Sequence, residues 1–162
     1  MSRRIVVTTG ARLHFGLLSN RGETGRNFGG AGLMIDKPGF QVSTRRADRD
    51  SIRASESYDA RIEKIVAAYR RNAPSDNVPP ACEIELLQEI PPHVGLGSGT
   101  QLAMAVAQGL AILANDGQTD AASLAGRVGR GKRSSIGIHG FEQGGFLVDG
   151  GKLPDDIIGT AV

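Results

Sequence analysis

Cysteine is almost absent from this 162-residue chain, which has only Cys82, and tryptophan is missing altogether. One thiol excludes an intrachain disulfide and a cysteine-built zinc site. Aromatic residues make up 4% of the chain, too few to supply a base-stacking platform. Charge of one sign is equally scarce. Nineteen Lys and Arg against 17 Asp and Glu leave a net charge of +2, too little for nucleic-acid binding by bulk electrostatics. Long apolar runs are lacking as well. The longest, Leu102 to Ala114, is broken by Gln108 and too short to span a bilayer. The run after Arg3 and Arg4 stops at Thr8, short of a secretory h-region. The expectation is a cytoplasmic chain with neither membrane nor nucleic acid as partner, long enough to bury a core.

Glycine is what the chain has in excess. Twenty-three of 162 residues is about twice the usual share of ~7%. They fall in short clusters between periodic segments, where backbone turns sharply or approaches something closely.

The periodicities predict an alternation of strands and helices. Ile5 to Leu18 reads as a strand with Leu13, Phe15 and Leu17 on one face and Arg12 and His14 on the other. Leu33–Ile35 and Phe40–Thr44 read as a hairpin around Asp36-Lys37-Pro38-Gly39, and Ser51–Ala54 as a short strand. Ser57 is placed as the cap of a helix with the stripe Tyr58, Ile62, Ile65, Val66 and Tyr69, ended by Pro74. Cys82–Ile90 reads as a strand and Thr100–Asn115 as a helix with Leu102, Val106, Leu110 and Leu113 on one side. Thr119 caps a further helix closed by Gly129, and Phe146–Val148 with Lys152–Leu153 reads as a second hairpin. This order is α+β rather than a regular parallel array.

The most pointed stretch is Pro91–Leu113, PPHVGLGSGTQLAMAVAQGLAIL, a glycine loop running straight into the predicted helix. N–H groups at a helix start lack intrahelical partners and carry the positive end of the dipole. Glycines let them converge on an anion, and Ser98 and Thr100 add hydroxyls. No lysine follows as in a Walker A loop, and a dinucleotide fingerprint would need glycine at Leu102. The bare pattern leaves a structural turn and a phosphate site both open.

PPHVGLGSGTQLAMAVA resembles the second motif of the GHMP kinase superfamily, whose loop wraps nucleotide phosphates. GARLHFGLLS (Gly10–Ser19) and GRGKRSSIGIHGFEQGGFLVDGG (Gly129–Gly151) are similar to signatures of its β-ribofuranosylaminobenzene-5'-phosphate synthase branch. The resemblance implies a two-layer lobe with the ribosomal protein S5 domain 2-like fold. Residues 1–162 would be one N-terminal phosphate-loop lobe, with the family's C-terminal lobe absent from this chain. It implies a decarboxylating synthase of tetrahydromethanopterin biosynthesis, joining phosphoribosyl pyrophosphate to 4-hydroxybenzoate or 4-aminobenzoate. Gly99 stands where the kinases carry a second serine, and no carboxylate sits near Gly137, where a kinase catalytic Asp would fall. An ATP-dependent small-molecule kinase is therefore the alternative, and a non-catalytic ligand-binding lobe a further one.

The expected phosphate ligands are Gly95, Leu96, Gly97, Ser98, Gly99, Thr100 and Gln101, with Arg130, Arg133, Ser134, Gly144 and Gly145. Arg130, Lys132 and Arg133 are cations bracketed by glycines, and arginine forks suit phosphate; a solvated basic loop is the ordinary fate of such runs. Arg12, for a carboxylate or phosphate, and His14, for a substrate hydroxyl or proton, are placed as catalytic with Glu142. Ser98 and Glu142 are the candidate ligands for Mg²⁺ brought with the diphosphate. His139 lies beside Glu142, and His93 reads as a loop residue; three scattered histidines show no zinc spacing. Leu153–Ala161 has the acidic-then-small pattern of type I phosphoribosyltransferases, without the buried strand that should precede it. Partners would be small molecules, with a possible homodimer through exposed apolar strands.

Overall fold

The computed structural model describes residues 3–18, 25–117, 120–132, 134–156 and 158–161. Among these residues, seven strands and four α-helices follow in chain order. They are β1 (Arg4–Thr8), β2 (Ala11–Leu18), β3 (Gly29–Ile35), β4 (Gln41–Arg46), β5 (Ser51–Arg53), α1 (Asp59–Asn72), β6 (Cys82–Gln88), α2 (Ser98–Leu113), α3 (Ala121–Arg127), α4 (Ile136–Gln143) and β7 (Phe146–Asp149). The fold is α+β, with pairing antiparallel except between β5 and β6.

Two sheets form, where one continuous strand and two hairpins read from the sequence would have made something simpler. The expected strand Ile5–Leu18 breaks at Thr9-Gly10, sending β1 into a four-stranded sheet of order β1-β4-β6-β5 and β2 into a three-stranded sheet of order β2-β3-β7. A Cβ on Gly10 would lie 2.3 Å from the Ile35 carbonyl oxygen, so the chain crosses between sheets where only glycine fits. The Leu33–Ile35 and Phe40–Thr44 segments flank a turn but do not pair, because β3 and β4 belong to different sheets. Nor do Phe146–Val148 and Lys152–Leu153 form a hairpin: β7 pairs with β3, and Lys152 bridges to Asn27.

The core sits between the four-stranded sheet and the helices. On α1, Ile62, Ile65, Val66 and Tyr69 are buried, matching the expected stripe. Ser57 lies in the preceding turn, and the Ser55 carbonyl accepts from the Tyr58 and Asp59 N–H groups instead. The helix ends at Asn72, with Ala73 as its C-cap, just before Pro74. Thr119 lies outside the described residues; Asp120 caps α3, its side chain accepting from the Ser123 N–H at 2.9 Å. Helix α2 is enclosed on nearly every side rather than along one stripe, because it packs against β4 and β1 and also against α1, α3 and α4. Burial of a side chain such as Leu102 or Leu110 there is worth about 1.5–3 kcal/mol. Helix α4 was not separated from its glycine-rich surroundings by periodicity, yet it forms and packs Ile136 and Ile138 inward.

The three-stranded sheet inverts the usual assignment of faces. Arg12 and His14 on β2 point inward with Leu147 and Asp149 on β7, while Leu13, Phe15, Phe146 and Val148 are exposed. Phe15 and Phe146 stack with ring centroids 6.4 Å apart. Among the described residues, no helix is long and apolar enough to cross a membrane.

Candidate functional site

The glycine loop enters α2 through Gly97, whose φ of 69° and ψ of 20° are left-handed values that a side chain resists. The Gly97 carbonyl accepts from the Thr100 and Gln101 N–H groups, and no side chain caps the helix. The loop is tied to the three-stranded sheet by a 3.0 Å hydrogen bond from the Arg12 N–H to the Leu96 carbonyl. That bond brings the strand's polar face to the helix start.

Arg12 then runs between two glycines. A Cβ on Gly97 would lie 3.3 Å from Arg12 Nε, and one on Gly137 would lie 3.5 Å from Arg12 Nη1. Its Nε is buried without a hydrogen-bond partner, and burial lowers the guanidinium pKa below its ordinary value. His14 follows on the same face, its ring 3.4 Å from where a Gly30 Cβ would stand. Its Nε2 is likewise buried and unpartnered. Burial lowers the His14 pKa, Arg12 lowers it further, and Asp149 pulls in the opposite direction without prevailing. The imidazole is therefore held neutral, with a ring nitrogen able to accept.

Asp149, which sequence reading assigned only to a turn, is buried outside the cleft lining and fastens the start of α4. Its carboxylate accepts from the Ser135 N–H at 2.8 Å, the Gly151 N–H at 2.9 Å and the Ser134 hydroxyl at 3.3 Å. Its strand partner Gly30 is the residue over which the His14 ring lies, so charge and ring flank one strand. An acidic residue ending a strand before two glycines was the available signal.

Arg12, His14, Thr100, Arg130, Lys132 and Ser134 line a cleft of about 450 Å³. Arg130 projects to the first turn of α2, where a Gly99 Cβ would lie 3.8 Å from both terminal nitrogens. Its Nε is buried and unpartnered, and burial, then repulsion from Arg61, lowers its pKa. Arg130 also lines a second cleft of about 340 Å³, with Arg61 and Lys64 on its wall. Those two α1 cations were not singled out from sequence; their spacing marks a shared helix face, but nothing in it places that face beside α2.

Other expected ligands have different surroundings. Ser98 opens α2 beside Tyr58, whose phenol O–H donates to the Ile90 carbonyl at 2.5 Å; burial raises the phenol pKa and Ser98 lowers it. Gln101 is fully buried and donates to the Gly137 carbonyl at 2.8 Å, fastening α2 to α4. Gly144 and Gly145 turn the chain after the C-terminus of α4, both at positive φ, and do not line the cleft. Glu142 is exposed at that same end and does not line the cleft. His139 Nε2 is 2.8 Å from the Gly159 carbonyl, and His93 Nε2 is 3.1 Å from Arg61. Arg133 lies outside the described residues. Among the described residues no cluster of three His, Cys, Asp or Glu is disposed to hold a metal ion. Ser98 begins α2 while Glu142 is exposed near the C-terminus of α4, and neither lines the cleft.

The arrangement is thus a set of cations and amides facing concave space, with no carboxylate among the described residues of either lining, which suits a multiply charged anion. The model of the GHMP kinases N terminal domain matches residues 60–145, more than half of the chain. The beta-ribofuranosylphenol 5'-phosphate synthase of Methanocaldococcus jannaschii is 34% identical over 159 residues, covering 91% of this chain and 47% of the relative. The protein of the same name from Methanothermobacter thermautotrophicus is 34% identical over 152 residues, covering 91% and 46%. The chain therefore spans just under half the length of these curated relatives. Among solved structures, mevalonate diphosphate decarboxylase from Staphylococcus aureus superposes with a TM-score of 0.66 at 15% identity, over 100% of this chain and 50% of that one. Homoserine kinase from Cytophaga hutchinsonii gives 0.64 at 20% identity, over 98% and 51%. At these identities the likeness is one of fold. With its glycine loop, its α+β layers and this family match, the chain belongs to the GHMP kinases N-terminal domain family.

Proposed function

We propose that this chain is the phosphate-binding half of a decarboxylating phosphoribosyl synthase of tetrahydromethanopterin biosynthesis, acting in the cytoplasm. Its donor is phosphoribosyl pyrophosphate and its acceptor 4-hydroxybenzoate or 4-aminobenzoate. The observation that carries the reading is the cleft in which Arg12, His14, Arg130 and Lys132 stand about the start of α2, with no acid among its described lining residues. The names borne by relatives at 34% identity favour the synthase over other anion-handling enzymes.

The chemistry follows from charge. The ring carbon bearing the carboxylate bonds to ribose C1 as the C1–O bond to diphosphate breaks. Carbon dioxide then leaves, and the pair from the broken C–C bond restores the ring. No net proton is consumed. Two alternate residues of a strand are about 7 Å apart, comparable to the span of a para-substituted benzoate. Arg12 would hold the carboxylate, while neutral His14 would accept from the para hydroxyl or amine and so enrich the ring. Arg130, Lys132 and the first α2 amides would receive the departing diphosphate. Magnesium would arrive as the counter-ion of that diphosphate and offset its charge, rather than be held by a cluster of His, Cys, Asp or Glu among the described residues.

The test is to incubate the protein carrying this chain with phosphoribosyl pyrophosphate, magnesium and carboxyl-labelled 4-hydroxybenzoate or 4-aminobenzoate. Label released as carbon dioxide, with one pyrophosphate per turnover, is the expected result. Retained label with ATP-dependent phosphorylation of an alcohol would replace this reading with a kinase. Retained label with ligand binding alone would leave a non-catalytic lobe.

A further inference from the structure

Cations in this chain divide into two populations. Arg4, Arg26, Arg45, Arg53, Arg70 and Arg127 each form an ion pair with Asp or Glu. Among the described residues, Arg61, Lys64 and Arg130 form none. Arg61 meets the His93 ring nitrogen at 3.1 Å and stands 5.6 Å from the Tyr58 ring centroid. These three cations line a cleft of about 340 Å³ together with Ile65, Leu102 and Val128, with no acidic residue among its described lining residues.

Like charges converging beside apolar side chains repel one another, and Arg130 registers that repulsion from Arg61. An anion seated there would relieve it, in surroundings less screened than open water. Arg130 also walls the larger cleft, so the two concavities share that residue. A ligand charged at both ends would fill both.

We infer that the Arg61–Lys64–Arg130 cleft is a second phosphoryl subsite, taking the 5'-phosphate of the sugar while the diphosphate lies beyond Arg130 at the start of α2. The assignment rests on the donor proposed above. Its direction follows from connectivity: the diphosphate is bonded to C1, where the acceptor must arrive, and the acceptor's candidate partners Arg12 and His14 line the larger cleft. The 5'-phosphate hangs from the opposite end of the ribose and so belongs to the other cleft.

The experiment titrates the chain calorimetrically with ribose 5-phosphate and with pyrophosphate, singly and together. Two subsites require that both bind at once and that phosphoribosyl pyrophosphate displaces each. The double substitution Arg61→Ala with Lys64→Ala should weaken ribose 5-phosphate about tenfold or more and leave pyrophosphate within about twofold. Arg130→Ala should weaken both. Unfolding curves of each variant separate lost binding from lost fold. Displacement of ribose 5-phosphate by pyrophosphate, or indifference of its affinity to the double substitution, would overturn the subsite. If both ligands behave as expected but no labelled carbon dioxide appears, the subsite stands and the synthase reading falls. If turnover proceeds with the KM for the donor unmoved by the double substitution, the synthase reading stands and the subsite falls.

Discussion

Arg12 and Gly97 touch: a Cβ built on the glycine would stand 3.2 Å from the arginine's own Cβ and 3.3 Å from its Nε. Gly97→Ala should therefore act twice. The left-handed backbone costs about 1–2 kcal/mol with any side chain, and the new methyl pushes Arg12 out of line. Thermal unfolding should fall by a few degrees while pyrophosphate affinity falls severely. Wild-type affinity in a destabilised variant would reduce the loop to a helix cap.

His14 offers a readout of the cleft's electrostatics. Burial and Arg12 hold its pKa below the ordinary 6.5. The unfolded chain thus takes up this proton first as pH falls. The contribution of neutral His14 to stability is full above about 6.5 and is lost as pH drops from there through the lower folded value. Arg12→Gln should raise the His14 pKa in an NMR titration of its ring protons, and Asp149→Asn should lower it further. An unmoved titration in both variants would contradict the placement of the ring.

Asp149→Asn also removes one of two oxygens that accept from the Ser135 and Gly151 N–H groups. An amide nitrogen presented to a buried donor leaves it unsatisfied, at about 1–3 kcal/mol. The midpoint of urea unfolding should fall accordingly with an unchanged slope.

Two helical glycines should respond oppositely to alanine. A Cβ on Gly109 would come 2.6 Å from the Thr44 hydroxyl oxygen, on a stiff β-branched side chain that is fully buried, so Gly109→Ala should cost about 1–3 kcal/mol. Around Gly126 a Cβ meets nothing within 4 Å, and Gly126→Ala should stabilise by about 0.5–1 kcal/mol. Chemical denaturation of the pair tests whether α2 is pressed against β4 as tightly as described.

Cys82 is expected to be inert. Burial, with Asp50 adding to it, pushes the thiol up to about 11. A disulfide reagent at pH 8 should label it only after denaturant is added. Rapid labelling of the native chain would show the start of β6 to be open.

The sequence made α1, β6, α2 and the phosphate loop legible because each carries its own periodicity or its own turn chemistry. Alternation in β2 gave the phase of Arg12 and His14 correctly, but alternation has no sign. Which face is dry depends on Gly30 and Gly32 making room for His14 and Ile136 from across the sheet. Pairing partners were illegible for a similar reason. The turn between β3 and β4 looks like a hairpin locally, and only the crossover at Gly10 sends its arms into separate sheets. Arg61 and Lys64 stayed hidden because helix periodicity says which residues share a face, not what that face meets.

The outward-facing rings and branched carbons of the small sheet govern how this chain handles in a test tube. Phe15 and Phe146 are 61% and 60% exposed, side by side, and a net charge of +2 provides weak colloidal repulsion against their adhesion. Concentrated samples will clump through this oily plane long before the charged interior is disturbed, and a mild detergent will keep them dispersed.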